Sequence, residues 1–280
     1  MVAIAIALAA SCCWGIADFT GGLKSRHLPV PLVLLMVEGT GALAAALVIA
    51  ATHEPLPGTR AVVYSLVAGT AGIMGLAAFY RALAIGTMSI VAPISATGVA
   101  LPVIVGIATG DRLSTVVSAG LVVTVAGVIL ASREQHDGDA GRAAAGRLSI
   151  GLALLSAVGF GTYFSLADVA ADGSVLWLLL LARVVVLPVM AGAVLISRPP
   201  LPSRGDLATL AGAGLLDIVA TGLYGVANTK GALSIVSVVG ALYPVTTVLL
   251  ARMVLSERLR PIQAAGIGAA FAGVGLIVAG

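Results

Sequence analysis

Four ionisable side chains fall inside long apolar runs: Asp18, Glu38, Arg183 and Asp217. A charge at membrane depth costs roughly 2.5–3.5 kcal/mol on insertion scales, and it ordinarily faces a cavity or a partner. The chemistry open to such groups is binding and proton exchange. Glu38 and Arg183 have opposite signs, so they are expected to pair or to flank a zwitterionic ligand. Asp217 is followed by Thr221, Tyr224 and Asn228 at i+4, i+7 and i+11, which places all four on one helix face. That stripe is expected to line an aqueous path rather than to make interhelical bonds of about 0.6 kcal/mol each. Asp18 lies one turn from Trp14 and Gly15, either as a solvated helix-end carboxylate or as a functional one. Trp14 and Tyr163 complete the candidate substrate-binding or coupling residues. Asp168 and Asp172 read as solvated.

Other chemistries lack their residues. Cys12 and Cys13 are adjacent in one helical run, and helical neighbours point apart, so no disulfide forms between them. They read as small apolar fillers. His27, His53 and His136 are scattered in loops, and Pro55 follows His53-Glu54, which excludes a helical His-Glu-x-x-His zinc site. No phosphate-cradling Walker A loop and no Gly-x-Ser-x-Gly elbow is found. Gly159 and Gly161 begin a dinucleotide-like pattern, but Phe164 occupies the third glycine's place. The expectation is a protein that is not an enzyme, with no catalytic residue, metal, cofactor or nucleic-acid partner.

The elements that position the four groups follow from composition. Of 280 residues, 60% are hydrophobic and 10% charged. A soluble domain would be about 25% charged, and a disordered chain would be poor in apolar residues. A helix crossing the bilayer needs about 20 apolar residues. Ten such stretches lie near 2–22, 30–52, 61–80, 88–109, 115–132, 148–168, 174–197, 206–229, 234–254 and 261–279. They are continuous rather than alternating, which excludes a β-barrel. The first lacks a basic leading segment and runs on past Ser11, so it reads as a helix rather than a cleaved signal peptide. Pro93, Pro102, Pro188 and Pro244 lie inside apolar runs, where each removes a backbone bond. They are candidate gate or hinge points. Gly266, Gly268, Gly273 and Gly275 read as a close-packing helix surface, with dimerisation as a weaker possibility.

The chain repeats itself. At an offset of 146, Asp111-Arg112-Leu113 meets Glu257-Arg258-Leu259, Gly120 meets Gly266, Gly127 meets Gly273 and Trp14-Gly15 meets Phe160-Gly161. Ser89-Ile90-Val91 meets Ser234-Ile235-Val236 at 145. The two acidic-Arg pairs read as helix-end anchors, with proline close behind in the second. The repeats are 1–132 and 148–280, joined by a polar linker over 133–147 that reads as flexible. Five helices per repeat is an odd number, so the second repeat enters the membrane inverted. The fold class is therefore all-α integral membrane, with ten transmembrane helices in two inverted-topology repeats, the architecture of many secondary transporters. Eleven Lys and Arg residues follow odd-numbered spans, and only Arg60, Arg112 and Lys230 follow even-numbered ones. The positive-inside rule then puts both termini outside, in a cell (inner) membrane.

These features resemble the EamA family of the drug/metabolite transporter superfamily. The residues that carry the resemblance are Trp14-Gly15 and Phe160-Gly161, Pro102 and Tyr243-Pro244, and the acidic-Arg-Leu turn opening each fifth helix. It extends over the whole chain as two tandem repeats. It implies a ten-helix permease working by alternating access. The family usually carries an arginine in the second helix of each repeat. Arg183 keeps it, whereas Glu38 stands at the equivalent place in the first half.

The expected function is a secondary transporter of small organic metabolites, such as amino acids, with Glu38, Asp217 or Asp18 exchanging protons. The alternatives are an exporter of cationic drugs with Glu38 as counter-ion, and a lipid or lipid-linked sugar flippase. Aromatic residues make up only 4% of the chain, which argues against a large aromatic drug pocket. Arg198, Arg204, Arg258 and Arg260, the basic candidates for a headgroup site, read as positive-inside anchors. The partners expected are a small solute and the bilayer, with the chain a monomer or homodimer.

Overall fold

A computed structural model describes residues 2–101, 114–131, 140–170, 174–230, 239–240 and 242–279. All regular structure among them is helical. The helices are α1 (Val2–Lys24), α2 (Val30–Thr52), α3 (Thr59–Ile85), α4 (Met88–Ala96), α5 (Thr115–Ala131), α6 (Ala140–Ala170), α7 (Val175–Ser197), α8 (Arg204–Lys230), α9 (Tyr243–Val254) and α10 (Pro261–Ala279). Six of them, α1, α2, α3, α6, α7 and α8, are long and apolar enough to cross a membrane. The protein is a multi-pass membrane protein. Large side chains such as Leu43, Val67, Val122 and Val189 are exposed on its outside, while the interior holds charge. That distribution suits lipid rather than water as the surrounding solvent.

Local chemistry sets the helix ends. His53 and Arg198 take left-handed φ values of 53° and 42° and close α2 and α7 by donating their N–H groups to Ile49 and Val194. Ser203 and Asp206 cap α8 reciprocally: Ser203 Oγ accepts from the Asp206 N–H at 3.1 Å, and Asp206 Oδ2 accepts from the Ser203 N–H at 3.2 Å. Pro261 opens α10, where its missing N–H costs nothing.

Several sequence expectations change. The linker read as flexible is helical from Ala140, because Ala143, Ala144 and Ala145 are strong helix formers that extend α6 backwards. Residues 132–139 lie outside the described residues. The span expected over 88–109 is interrupted after Ala96 by a 3-10 turn, Thr97–Val99, and is helical again at Ala100 and Leu101, beyond which residues 102–113 lie outside the described residues. Pro93 inside α4 withholds the N–H that would have bonded to the Ser89 carbonyl. Pro188 is inside α7. Pro244 is not: it occupies the first turn of α9, a start position rather than a kink. Pro102, Asp111 and Arg112 lie outside the described residues.

The principal packing runs between early and late helices. α1 packs on α8 and α9, α2 on α7 and α8, α3 on α6 and α7, α4 on α6 and α9, and α5 on α10. Glycine brings α5 and α10 to backbone contact. A methyl group at Gly120 would meet the Gly273 carbonyl and the Ile277 N–H, and one at Gly127 would meet the Gly266 carbonyl. The reverse contacts hold at Gly266 and Gly273. Gly268 and Gly275 have nothing near them and take no part. Such close approach is how helices associate where lipid supplies no hydrophobic drive.

Candidate functional site

Backbone packing first brings the charged residues within reach. Gly214 of α8 rests on the Val37 carbonyl of α2, with no room for a side chain. One turn further along α8, Asp217 then faces α2 and α7. Gly41 clears a second path: a methyl there would stand 2.9 Å from Arg183 Nε, so only glycine lets the guanidinium lie across α2.

Arg183 is the centre of the cluster. Its Nε lies 2.9 Å from Glu38 Oε2, in ion-pair range though off hydrogen-bond alignment. Its Nη2 donates to Asp217 Oδ2 at 2.5 Å, and its Nη1 donates to the Leu179 carbonyl at 3.0 Å. Glu38 and Arg183 are buried, whereas the Asp217 side chain is 28% exposed. The expected opposite-sign pair therefore forms, and Asp217 joins it as a second acceptor.

Asp18, half-buried on α1, interacts electrostatically with Asp217 and Glu38. It has no cationic partner among the described residues. With all groups ionised, three carboxylates face one guanidinium. Asp18 is half-buried six residues before the end of α1, where the Asp217 and Glu38 charges act on it.

Several aromatic rings come from the helices that carry this centre. Trp14, one turn before Asp18, lies 5.5 Å from Tyr224 and 6.5 Å from Tyr243, centroid to centroid. Tyr243 and Tyr80 interact electrostatically with Asp18, and Tyr163 with Arg183. The Tyr163 ring packs over Gly72 and meets Phe164 at 5.5 Å. Three of the five tyrosines, Tyr80, Tyr163 and Tyr243, thus interact with the charged residues. Tyr80 and Tyr243 escaped sequence reading. Their one signal is that tyrosine is rare in this chain and both sit within apolar runs.

The α8 stripe is realised in part. Asp217 reaches the cluster and Tyr224 meets the Trp14 ring, but Thr221 Oγ1 donates to the Asp217 carbonyl of its own helix at 3.0 Å. Such back-bonding satisfies the hydroxyl and removes its need of a water path. The Asn228 and Asp168 side chains lie outside the described residues, as does Asp172. Cys12 and Cys13 are free thiols. No group of three metal-ligating side chains occurs among the described residues.

One end of the molecule is sealed. Phe19, Leu34, Phe79, Tyr80, Leu83, Met88 and Leu210 are buried in one apolar cluster between the charged centre and the α1–α2 turn. Beyond it, Lys24 Nζ lies 2.7 Å from Asp206 Oδ1, and Arg26 Nη2 lies 3.6 Å from Glu257 Oε1. Glu257 was expected to anchor its own helix end. Instead its carboxylate accepts from the Met88 and Ser89 N–H groups at 3.0 and 2.9 Å, capping α4. Glycine-free α4 has no side-chain cap of its own, so a carboxylate from across the molecule supplies the negative charge that its N-terminus favours.

Comparison with known proteins supports this architecture. The family model of EamA-like transporters matches residues 147–279. No curated protein matches the chain in sequence. A solved structure, described only as the crystal structure of a protein, superposes with a TM-score of 0.65 at 15% identity, covering 98% of this chain and 96% of that one. That likeness concerns the fold alone.

Proposed function

From the match of residues 147–279 to the family model of EamA-like transporters, we propose that the whole chain is a secondary transporter of a small organic solute. It works by alternating access between two inverted halves, residues 1–132 and 148–280. The observation that carries this reading is the charged centre itself. α1 and α2 of one half and α7 and α8 of the other supply it jointly, and a seal closes one of its two ends. Binding energy at such a seam acts on the relation between the halves, which is what alternating access requires.

Internal symmetry supports the two-half arrangement. Exchanging α1–α5 for α6–α10 carries the principal helix pairings into one another: α1 on α8 becomes α6 on α3, and α2 on α8 becomes α7 on α3. It holds at single residues. Gly69 rests on Ala182 as Gly214 rests on Val37, each pair displaced by 145. Gly15 abuts the Tyr243 carbonyl as Gly161 abuts that of Gly98. Phe79 meets Phe160 at 5.8 Å where Tyr224 meets Trp14 at 5.5 Å. His53 and Arg198 close equivalent helices in the same left-handed conformation.

The charged residues break this symmetry, as a directional site must. Glu38 stands opposite Arg183, Asp217 opposite Gly72, and Asp18 opposite Phe164. Proton exchange falls to Asp18, Glu38 and Asp217. Pro93 and Pro188 supply hinge points. The Lys and Arg bias assigns the sealed end to the cytoplasm of an inner membrane and both termini to the outside.

The test is counterflow in proteoliposomes with an imposed pH gradient and a panel of amino acids, nucleobases and quaternary amines. Accumulation of one class, lost in Asp217→Asn, is expected. Folded protein that moves no class of solute would refute the transport reading. Transport indifferent to the gradient would refute proton exchange.

A further inference from the structure

We infer that Glu257 is the latch of the sealed end: its carboxylate reaches from the later half of the chain to α4 and Arg26 of the earlier half, and the end opens when it withdraws. The inference rests on the alternating-access reading, which requires this end to open in turn.

The carboxylate has three partners, all in the earlier half. Oε1 accepts from the Met88 N–H at 3.0 Å and Oε2 from the Ser89 N–H at 2.9 Å. Arg26 Nη2 stands 3.6 Å from Oε1. The first N–H groups of a helix have no partner within it, and α4 has no side-chain cap of its own. Met88 and Ser89 are fully buried. Withdrawal of Glu257 therefore strands two donors unless water reaches them, and a stranded buried donor costs more than the bond it lost. Opening and hydration of this end are thus one event.

The arm that carries Glu257 is shaped for the reach. It lies in the turn between α9 and α10. Ser256, just before it, is held at φ 54°, in the left-handed region that favours glycine. Leu255 and Leu259 on either side pack on the apolar cluster that seals the end. The same short turn both plugs the end and pins it. The neighbouring ion pair differs. Lys24 and Asp206 have side chains 25% and 26% exposed, whereas that of Glu257 is 11% exposed. Exposed pairs contribute little. Asp206 also keeps Ser203 as a donor when Lys24 leaves, while the two α4 N–H groups bond to Glu257 alone among the described residues.

The test is thiol labelling in proteoliposomes, with Cys12 and Cys13 changed to serine. Leu210 is fully buried in the seal, so the rate at which Leu210→Cys reacts with N-ethylmaleimide reads how often the end opens. Glu257→Gln keeps the size of the side chain but offers one acceptor oxygen and turns an NH2 group toward the other N–H. It should raise the rate about tenfold or more. Asp206→Asn should change it by less than about threefold. Ala68 is fully buried in α3 outside the sealing cluster. Ala68→Cys should stay unreactive in the Glu257→Gln protein, which separates an opened end from a loosened fold. Unchanged labelling of Leu210→Cys in folded Glu257→Gln would overturn the inference, as would equal opening by Asp206→Asn or parallel labelling at Ala68→Cys. Should Glu257→Gln fail to fold, Arg26→Glu decides. Arg26 is 27% exposed, and the reversed charge repels Glu257, so faster labelling is expected and no change refutes the latch. The two readings fail separately. Labelling as expected in a protein that moves no solute keeps the latch and sinks the transporter. Counterflow together with unchanged labelling does the reverse.

Discussion

Arg183 holds two carboxylates with one guanidinium, and its value lies in geometry as much as in charge. Glu38 and Asp217 approach different nitrogens, which a planar fork permits and a lysine ammonium at the same depth does not. Removing the guanidinium leaves buried negative charge without a partner, which costs about 3–5 kcal/mol. Arg183→Ala should therefore lower the thermal unfolding midpoint in detergent sharply. Asp217→Asn should lower it far less, because Asp217 is the more exposed acceptor and Glu38 still balances the arginine. Equal loss in the two variants would show that the network is not organised around Arg183. The four charges were legible in the sequence because ionisable groups inside apolar runs are conspicuous. Tyr80 and Tyr243 were not, since an aromatic on a uniformly apolar helix carries no mark of the face it occupies. Nor was the occupancy of Arg183, which depends on Gly41 and Gly214 letting three helices close upon it.

At the scale of the element, helix positions were easy to read and helix ends were not. Length and hydropathy located α1, α2 and α7 closely. The register lost at α4 came from Pro93 and the 3-10 turn after it, and the gain at α6 came from alanines inside an otherwise polar stretch. The glycines of α10 read as one packing surface, yet they divide. Gly127 of α5 and Gly266 of α10 touch backbone to backbone, while Gly268 faces open space. Gly127→Leu should separate the two helices and lower the unfolding midpoint strongly. Gly268→Leu should leave it unchanged and only add apolar surface. Comparable losses at both positions would mean that α10 packs by a different face. The Glu257 cap on α4 was also hidden, because a helix N-terminus satisfied from a distant segment leaves no local sequence signal.

For the whole molecule, the two ends differ chemically. The sealed end carries the Lys24–Asp206 and Arg26–Glu257 ion pairs and the loop that exposes Leu201. The far end carries the exposed turn at Gly58. In a background with Cys12 and Cys13 changed to serine, Leu201→Cys should resist an impermeant maleimide on intact cells and react after permeabilisation. Gly58→Cys should react at once. The opposite pattern would invert the orientation taken from the Lys and Arg bias. That bias is a property of the whole chain, so it is available before any fold is known. The seal is not, because it arises where residues distant in sequence, such as Phe19, Met88 and Leu210, meet.

The α5–α10 contact has one more consequence. Its glycines answer each other in both directions, Gly120 to Gly273 and Gly127 to Gly266. The seam thus joins α5 and α10 at close backbone contact, with two glycines from each helix. Such a seam is expected to form without the covalent connection between the two stretches of chain. Two polypeptides translated separately, one ending before the polar stretch and one beginning after it, carry matching threads of the same screw. They should assemble in the bilayer without the peptide bond that joins them.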